Sequence, residues 1–280
     1  MPESSGASPI DGGTILVTGA SSGIGRSIAQ QVAHRARRLV LVARRKDRLD
    51  ALAEDLKSKH AGLAVSTFSC DVSDRAAVAG FVEEVRSGVG DIDVIVNNAG
   101  LGDLGVFERS RLEKQLFLVD VNIAALVTLT HAFLPGMVQR GKGAVLMISS
   151  GFGLSYLPGV ATYAGTKHFV TGFTEALHCE LAGTGVFACQ ICPGPVATEF
   201  EENMGNFTGK KVPAMLEISP DRCAREAIAA VDRRRALVVP HLFFKFVIWL
   251  SLRSPRWITR FFMRILGKRV RAEQLAKASG

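Results

Sequence analysis

A five-residue apolar run that stops on a glycine turn constrains this chain more than any other feature. Thr14-Ile-Leu-Val-Thr18 is followed at once by Gly19-Ala-Ser-Ser-Gly23-Ile-Gly25, and then by a helical pattern through Ala33. A short apolar run bounded by turn residues predicts a strand buried on both faces, as in a parallel sheet. Parallel strands need a crossover between them, usually a helix, so a repeating strand–helix–strand unit is expected. The glycines let the backbone approach a bound pyrophosphate, and the helix that follows offers free N–H groups and the positive end of its dipole. Strand, glycine turn and helix in this order are the context of a dinucleotide-binding unit. Gly19, Ser21, Ser22, Gly23, Ile24 and Gly25 are therefore candidate cofactor-binding residues.

The same alternation runs on. Leu39–Ala43 predicts a second strand ending in Arg44-Arg45, and Ala64–Phe68 a third leading to Cys70-Asp71-Val72. Val94–Val96 leads into Asn97-Asn98-Ala99-Gly100, Ala144–Ile148 into Ser149-Ser150, and Val186–Cys192 into Pro193-Gly-Pro-Val196-Ala-Thr198. Helical patterns over 47–59, 74–86 and Leu112 to about Leu134 lie between them. Strands alternating with 10–15-residue helices predict an α/β fold, a Rossmann-like doubly wound parallel sheet. Ligands on such sheets bind at the carboxyl ends of the strands, where the glycine turn, Arg44, Asp71 and Asn97 all fall. An acidic residue after the second strand would hold a ribose 2′-OH, whereas arginine accommodates a 2′-phosphate, so Arg44 and Arg45 favour NADP(H).

Asn122 stands in an apolar neighbourhood and needs partners if it is buried. In Ala161-Thr-Tyr163-Ala-Gly-Thr-Lys167 a tyrosine and a lysine stand four residues apart, which on a helix puts them on one face. A phenol has a reference pKa of about 10, and a neighbouring ammonium favours its ionised form, so the pair is a candidate general acid.

Taken together, Thr18-Gly-Ala-Ser-Ser-Gly-Ile-Gly25, Asn97-Asn-Ala-Gly100, Asn122, Ser150, Tyr163-x-x-x-Lys167 and Pro193-Gly194 resemble the short-chain dehydrogenase/reductase family over about residues 13–240. The resemblance implies that Tyr163 protonates a substrate carbonyl, and that Lys167 lowers its pKa and binds the nicotinamide ribose. It implies that Ser150, rather than the adjacent Ser149, polarises the carbonyl and that Asn122 holds a relay water. It also implies that Asp71 and Val72 meet the adenine, that Asn97, Ala99 and Gly100 line the cofactor, and that Pro193, Val196 and Thr198 close over its nicotinamide end. Ala-Gly-Thr between Tyr163 and Lys167 departs from the common Ser-Ala-Ser, at positions that carry no chemistry. The expected function is an NADPH-dependent oxidoreductase interconverting a ketone or aldehyde with an alcohol on an apolar, lipid-, steroid- or acyl-like small molecule. A nonenzymatic NADP-binding protein docking on a membrane or partner is the alternative, and the full Ser/Tyr/Lys/Asn set argues against it. A same-fold epimerase is disfavoured by the Asn97–Gly100 motif and the short C-terminal region.

Five cysteines, an odd number, suggest a reducing compartment. Cys189-Gln-Ile-Cys192, in a run that reads as a buried strand, is expected to be structural rather than a redox or metal pair, and the histidines lack zinc-site spacing. No metal is expected. The start of the chain lacks a secretory signal, and no segment reads as a membrane span, so a cytoplasmic location is expected. Residues 1–12 read as a flexible tail, 13–240 as the catalytic domain and 241–280 as a basic helical extension. Eleven of the 34 basic residues fall between Arg233 and Arg271, where there is no Asp or Glu; the 23 left face 26 acidic residues elsewhere. Arg256, Arg260, Arg264 and Lys268 run opposite Trp257, Ile258, Phe261, Phe262, Ile265 and Leu266. A basic amphipathic helix with interfacial aromatics suits an anionic membrane surface and a peripheral location. Packing over the substrate cleft or in a homo-oligomer interface is the competing expectation, and nucleic acid is excluded by the large, continuous apolar face. The segment from Glu199 to Ile218 is expected to be flexible.

Overall fold

The central strands form because their residues are apolar on both faces, and helices cover both, whereas the two edge strands are only partly buried. In the computed structural model, which describes residues 7–200, 204–205, 213 and 216–278, the strands are β1 (Thr14–Thr18), β2 (Arg38–Ala43), β3 (Ala64–Ser69), β4 (Val94–Asn97), β5 (Gly143–Ile148), β6 (Val186–Ile191) and β7 (Leu237–Val238). They make one parallel sheet in the order β3-β2-β1-β4-β5-β6-β7. The strand order reverses between β1 and β4, the switch point where such sheets open a crevice at their carboxyl ends.

Period-2 alternation sorts the core into two layers. Ile15, Val17, Leu39, Leu41, Val94, Val96 and Leu146 pack on α1 (Gly23–Val32), α2 (Lys46–Lys59) and α7 (Pro220–Asp232). Leu16, Val40, Val42, Ile95, Val145 and Met147 face α3 (Arg75–Gly88), α5 (Ala125–Arg140) and α6 (Ala161–Glu180). Each fully buried aliphatic side chain stabilises this sandwich by about 1.5–3 kcal/mol relative to exposure. Cys189 and Cys192 are buried free thiols, as expected; Cys70 and Cys223 are buried as well, and Cys179 is exposed.

Two expectations are corrected. Residues 8–12 are not a loose tail: Ile10 is buried in the core, the Gly12 N–H donates to the Arg35 carbonyl at 2.8 Å, and Arg35 bridges Asp11 and Asp232. The helix expected from Leu112 is α4 (Leu112–Val119), one π turn at Asp120–Ala124 and α5, so the turn that carries Asn122 is wider than its neighbours. Together, Leu112–Arg140 is long and apolar enough to cross a membrane, with a mean hydropathy of 1.8 over its most apolar 18 residues. It is nevertheless a core helix, whose Leu118, Leu126, Leu129, Phe133 and Met137 are buried inside the protein.

The C-terminal residues form α8 (Leu242–Arg253) and α9 (Arg256–Ala278), a helical hairpin that walls the same crevice. Residues 201–203, 206–212 and 214–215 of the segment expected to be flexible lie outside the described residues.

Candidate active site

The carboxyl ends of β1 to β6 meet in one cavity of about 760 Å³. At its first end, Gly19, Ser21, Ser22, Gly23 and Ile24 form the floor. Gly19 takes a φ of 67°, and a Cβ there would stand 2.7 Å from Asn98 Nδ2. The turn therefore needs glycine both for its conformation and for its closeness to the β4 loop. Gly25 lies just behind, where a Cβ would fall 2.6 Å from the Gly19 carbonyl. The first turn of α1 has no acidic residue, and the Ser22 side chain does not cap it. Its N–H groups and dipole are thus available to an anion, so the cradle fits a dinucleotide pyrophosphate.

Arg44, Arg45, Asp71 and Val72 line the adjoining end. The Arg44 side chain is more than half exposed, 4.0 Å from the Asp71 carboxylate. Burial raises the Asp71 pKa, but the Ser73 hydroxyl and N–H and the Arg44 charge more than offset it and hold the carboxyl below its usual value. Arg45 donates to the Ser22 hydroxyl at 2.9 Å, to Ser21 at 3.1 Å and to the Glu199 carboxylate at 2.7 Å. Arg48 reaches the other oxygen of Glu199 at 2.6 Å. This bridge ties the glycine turn to the loop after β6. Glu199 was not foreseen, because 154 residues separate it from Arg45 and no local pattern links them.

Asn97 does not line the cavity. As the last residue of β4 it shares the face of Ile95, and its amide donates to the Thr130 hydroxyl at 2.9 Å. Asn98 takes the expected place, donating to the Thr18 carbonyl at 2.8 Å, and Ala99 and Gly100 lie beside it on the cavity wall. Pro193, Val196 and Thr198 line the opposite side. There the Pro193 carbonyl accepts from the Gly151 N–H at 2.7 Å. Thr198 turns its hydroxyl to the Val196 carbonyl, and its methyl group would meet a Cβ at Gly23 at 3.1 Å.

Tyr163 and Lys167 project from one face of α6 into the far end, both buried. The phenol ring sits between Phe152, edge-on at 6.1 Å, and Phe200 at 5.7 Å. Burial pushes the Tyr163 pKa up to about 12, and a hydrogen bond with Ser150 acts in the opposite direction. Lys167 Nζ donates to the Ile148 carbonyl at 2.8 Å and stands 5.9 Å from the phenol ring centroid. Burial pushes the Lys167 ammonium down to about 8. The expectation that Lys167 depresses the phenol is therefore corrected for the protein alone. Its charge is directed at a backbone carbonyl, and desolvation dominates both groups.

The two serines differ in their partners. Ser150 bonds with Tyr163, whereas Ser149 shares a 3.0 Å hydrogen bond with Thr171. Asn122, expected to hold a water, spends its amide on Leu101 and Thr166. It accepts from the Leu101 N–H at 2.9 Å and donates to the Leu101 carbonyl at 2.9 Å and to Thr166 at 3.0 Å. Around the phenol the wall is apolar: Leu104, Leu157, Val160 and Met204, closed by Phe244, Ile248 and Met263 from the hairpin. Phe152 and Phe200 escaped the sequence reading, since aromatic residues in loops have no periodicity to betray them. Among the described residues, no group of His, Cys, Asp and Glu could hold a metal.

A family model described as short chain dehydrogenase matches residues 13–208. The chain belongs to the short chain dehydrogenase family, and it is an oxidoreductase of that class. The NADP-dependent 3-hydroxy acid dehydrogenase of Schizosaccharomyces pombe is 34% identical over 241 residues, 83% of this chain and 92% of that protein. The very-long-chain 3-oxoacyl-CoA reductase of Homo sapiens is 30% identical over 287 residues, 97% of this chain and 85% of that protein. Among solved structures, a short-chain dehydrogenase from Sphingobium yanoikuyae in complex with NADPH superposes with a TM-score of 0.75 at 34% identity, covering 82% of this chain and 88% of that one.

Proposed function

We propose that the protein is an NADPH-dependent reductase that converts an apolar ketone or aldehyde to the alcohol, and runs in reverse as an alcohol dehydrogenase. One observation carries this reading: a buried phenol, bonded to a serine hydroxyl, stands at the end of a cavity that begins at an anion-binding glycine turn. Gly19, Ser21, Ser22, Gly23 and Ile24 would hold the pyrophosphate, with Gly25 packing the turn. Arg44 and Arg45 would hold the 2′-phosphate, and Asp71 and Val72 the adenine. Ala99, Gly100 and Lys167 would hold the ribose, and Pro193, Val196 and Thr198 the nicotinamide end. NADPH, when bound, supplies the hydride.

The chain's own work is to position the carbonyl and protonate its oxygen. The Ser150 hydroxyl donates to the substrate oxygen and fixes it beside the Tyr163 hydroxyl. A phenol held near 12 keeps its proton at neutral pH, so Tyr163 is loaded as the donor. As the proton leaves, the Lys167 ammonium stabilises the phenolate that develops on the same helix face. Asn122 is a positioning residue, locking Leu101 to the wall and gripping Thr166, the residue before Lys167. The largely aromatic and aliphatic wall supports an apolar substrate, because a polar one would lose hydration there for few hydrogen-bond partners. The relatives named as a 3-hydroxy acid dehydrogenase and a 3-oxoacyl-CoA reductase are consistent with an acyl-type carbonyl.

The test is a panel of carbonyl compounds, from short polar aldehydes to long-chain and polycyclic ketones, followed by NADPH absorbance. Turnover should rise with apolar size and be supported better by NADPH than by NADH. Turnover confined to small polar carbonyls, or a preference for NADH, would overturn the reading.

A further inference from the structure

The hairpin of α8 and α9 has two working sides, and the cavity accounts for only one. Its inner side supplies Phe244, Ile248 and Met263 to the wall, and the Phe244 ring lies so close to Gly194 that a Cβ there would stand 2.5 Å away. Its outer side is apolar and uncovered among the described residues. Leu242 to Ile265 holds eleven of the 18 large hydrophobic residues exposed on the described surface. Both tryptophans are among them, Trp249 on α8 and Trp257 on α9, the latter 72% exposed. An apolar concentration of this kind marks an interaction surface.

Charge selects the partner. On α9, Arg256, Arg260, Arg264 and Lys268 recur every four residues, one position before Trp257, Phe261, Ile265 and Arg269. They form an exposed cationic row along the flank of the aromatic seam. On α8, Lys245 is exposed and the Arg253 guanidinium lies 4.6 Å from the Trp249 ring centre. No acidic residue occurs between Arg233 and Arg271. A second copy of the chain would bring like charges together on this face, with no carboxylate of the same stretch to pair them. The matching partner is apolar inside and anionic at its edge, and tryptophans and cations beside an apolar seam are what a lipid–water boundary accommodates.

We propose that the outer face of α8 and α9 docks in the plane of an anionic phospholipid bilayer, burying its aromatic seam at the headgroup boundary. The cavity walled by the inner side then lies next to the bilayer. The docking rests on the outer face alone and stands apart from the catalytic reading.

The test is flotation of the full chain with vesicles of phosphatidylcholine alone and with vesicles containing 30 mol% phosphatidylserine (about the anionic character of a cytoplasmic leaflet). The chain should float with the anionic vesicles, at low salt more than at high salt, with tryptophan emission shifted to the blue. Replacing Arg256, Arg260, Arg264 and Lys268 by Gln should weaken binding about fivefold per residue. Trp257→Glu with Phe261→Glu should abolish it. These side chains are exposed, so an unchanged melting temperature certifies the fold of each variant. Absence from the anionic-vesicle fraction at low salt would overturn the proposal, as would equal binding to neutral vesicles. A dimer in light scattering that the Trp257→Glu, Phe261→Glu pair disrupts, without vesicle binding by the parent chain, would also overturn it and assign the face to self-association.

Discussion

Lys167 is held where its charge is costly, and replacing it by methionine should stabilise the fold at neutral pH. Burial moves the ammonium from the ordinary value of 10.5 to about 8, a difference worth about 3 kcal/mol at 1.36 kcal/mol per unit. The sign follows from proton binding. Between about 8 and 10.5 the unfolded chain holds a proton that the folded chain has released, so stability rises with pH through that window. Below about 8 the whole cost is present, and above 10.5 it is gone. Methionine keeps the apolar stem but leaves the Ile148 carbonyl without the Lys167 donor, a loss of about 1 kcal/mol at every pH. In the cofactor-free protein, Lys167→Met should therefore be about 2 kcal/mol more stable than the parent at pH 7 and about 1 kcal/mol less stable above pH 10.5. Tyr163 titrates in both chains and cancels in the difference. Urea unfolding at the two pH values measures it. A gap that stays constant within 1 kcal/mol would show that Lys167 is not held near 8.

Gly25→Ala should lower the melting temperature and weaken NADPH binding together, because its Cβ would fall 2.6 Å from the Gly19 carbonyl. Overpacking of that kind costs about 1–3 kcal/mol, or about 2–4 °C per kcal/mol in a chain of this size. Arg44→Ala should weaken NADPH by about 1.5–3 kcal/mol, the worth of a hydrogen bond to a charged group, and leave NADH unchanged; fluorescence titration reads both. Glu199→Gln removes the carboxylate that engages Arg45 and Arg48, and should tighten NADPH severalfold without altering NADH affinity. Equal effects on the two cofactors would refute a 2′-phosphate role for these arginines.

The sheet was legible because its central strands are apolar on both faces and end in turn residues, a pattern that owes nothing to distant contacts. The site was legible wherever one residue carries its chemistry in its type and its place at a strand end, as Ser150, Asp71 and the glycine turn do. Alternation along β4 already held the answer for Asn97, since Ile95 and Asn97 must share a face turned to α5, which leaves Asn98 for the cavity. The π turn at Asn122 could not be read, because Val119 to Ala124 suits an α-helix equally well. Nor could the clasp of Glu199 on Arg45 and Arg48, which exists only once β2 and the β6 loop are side by side. The hairpin was half legible. Its aromatic seam and cationic row stand out, but with apolar residues on both sides of α8 only the folded chain separates the cavity wall from the exposed face.

Tyr163→Phe asks whether the Tyr163 hydroxyl delivers the proton. The ring and its contacts with Phe152 and Phe200 remain, and only the hydroxyl is lost. With the best apolar ketone found, turnover should fall by about 10²–10⁴, the usual worth of a positioned general acid, while NADPH binds as tightly as before. Turnover within a few fold of the parent enzyme would rule out Tyr163 as the proton donor.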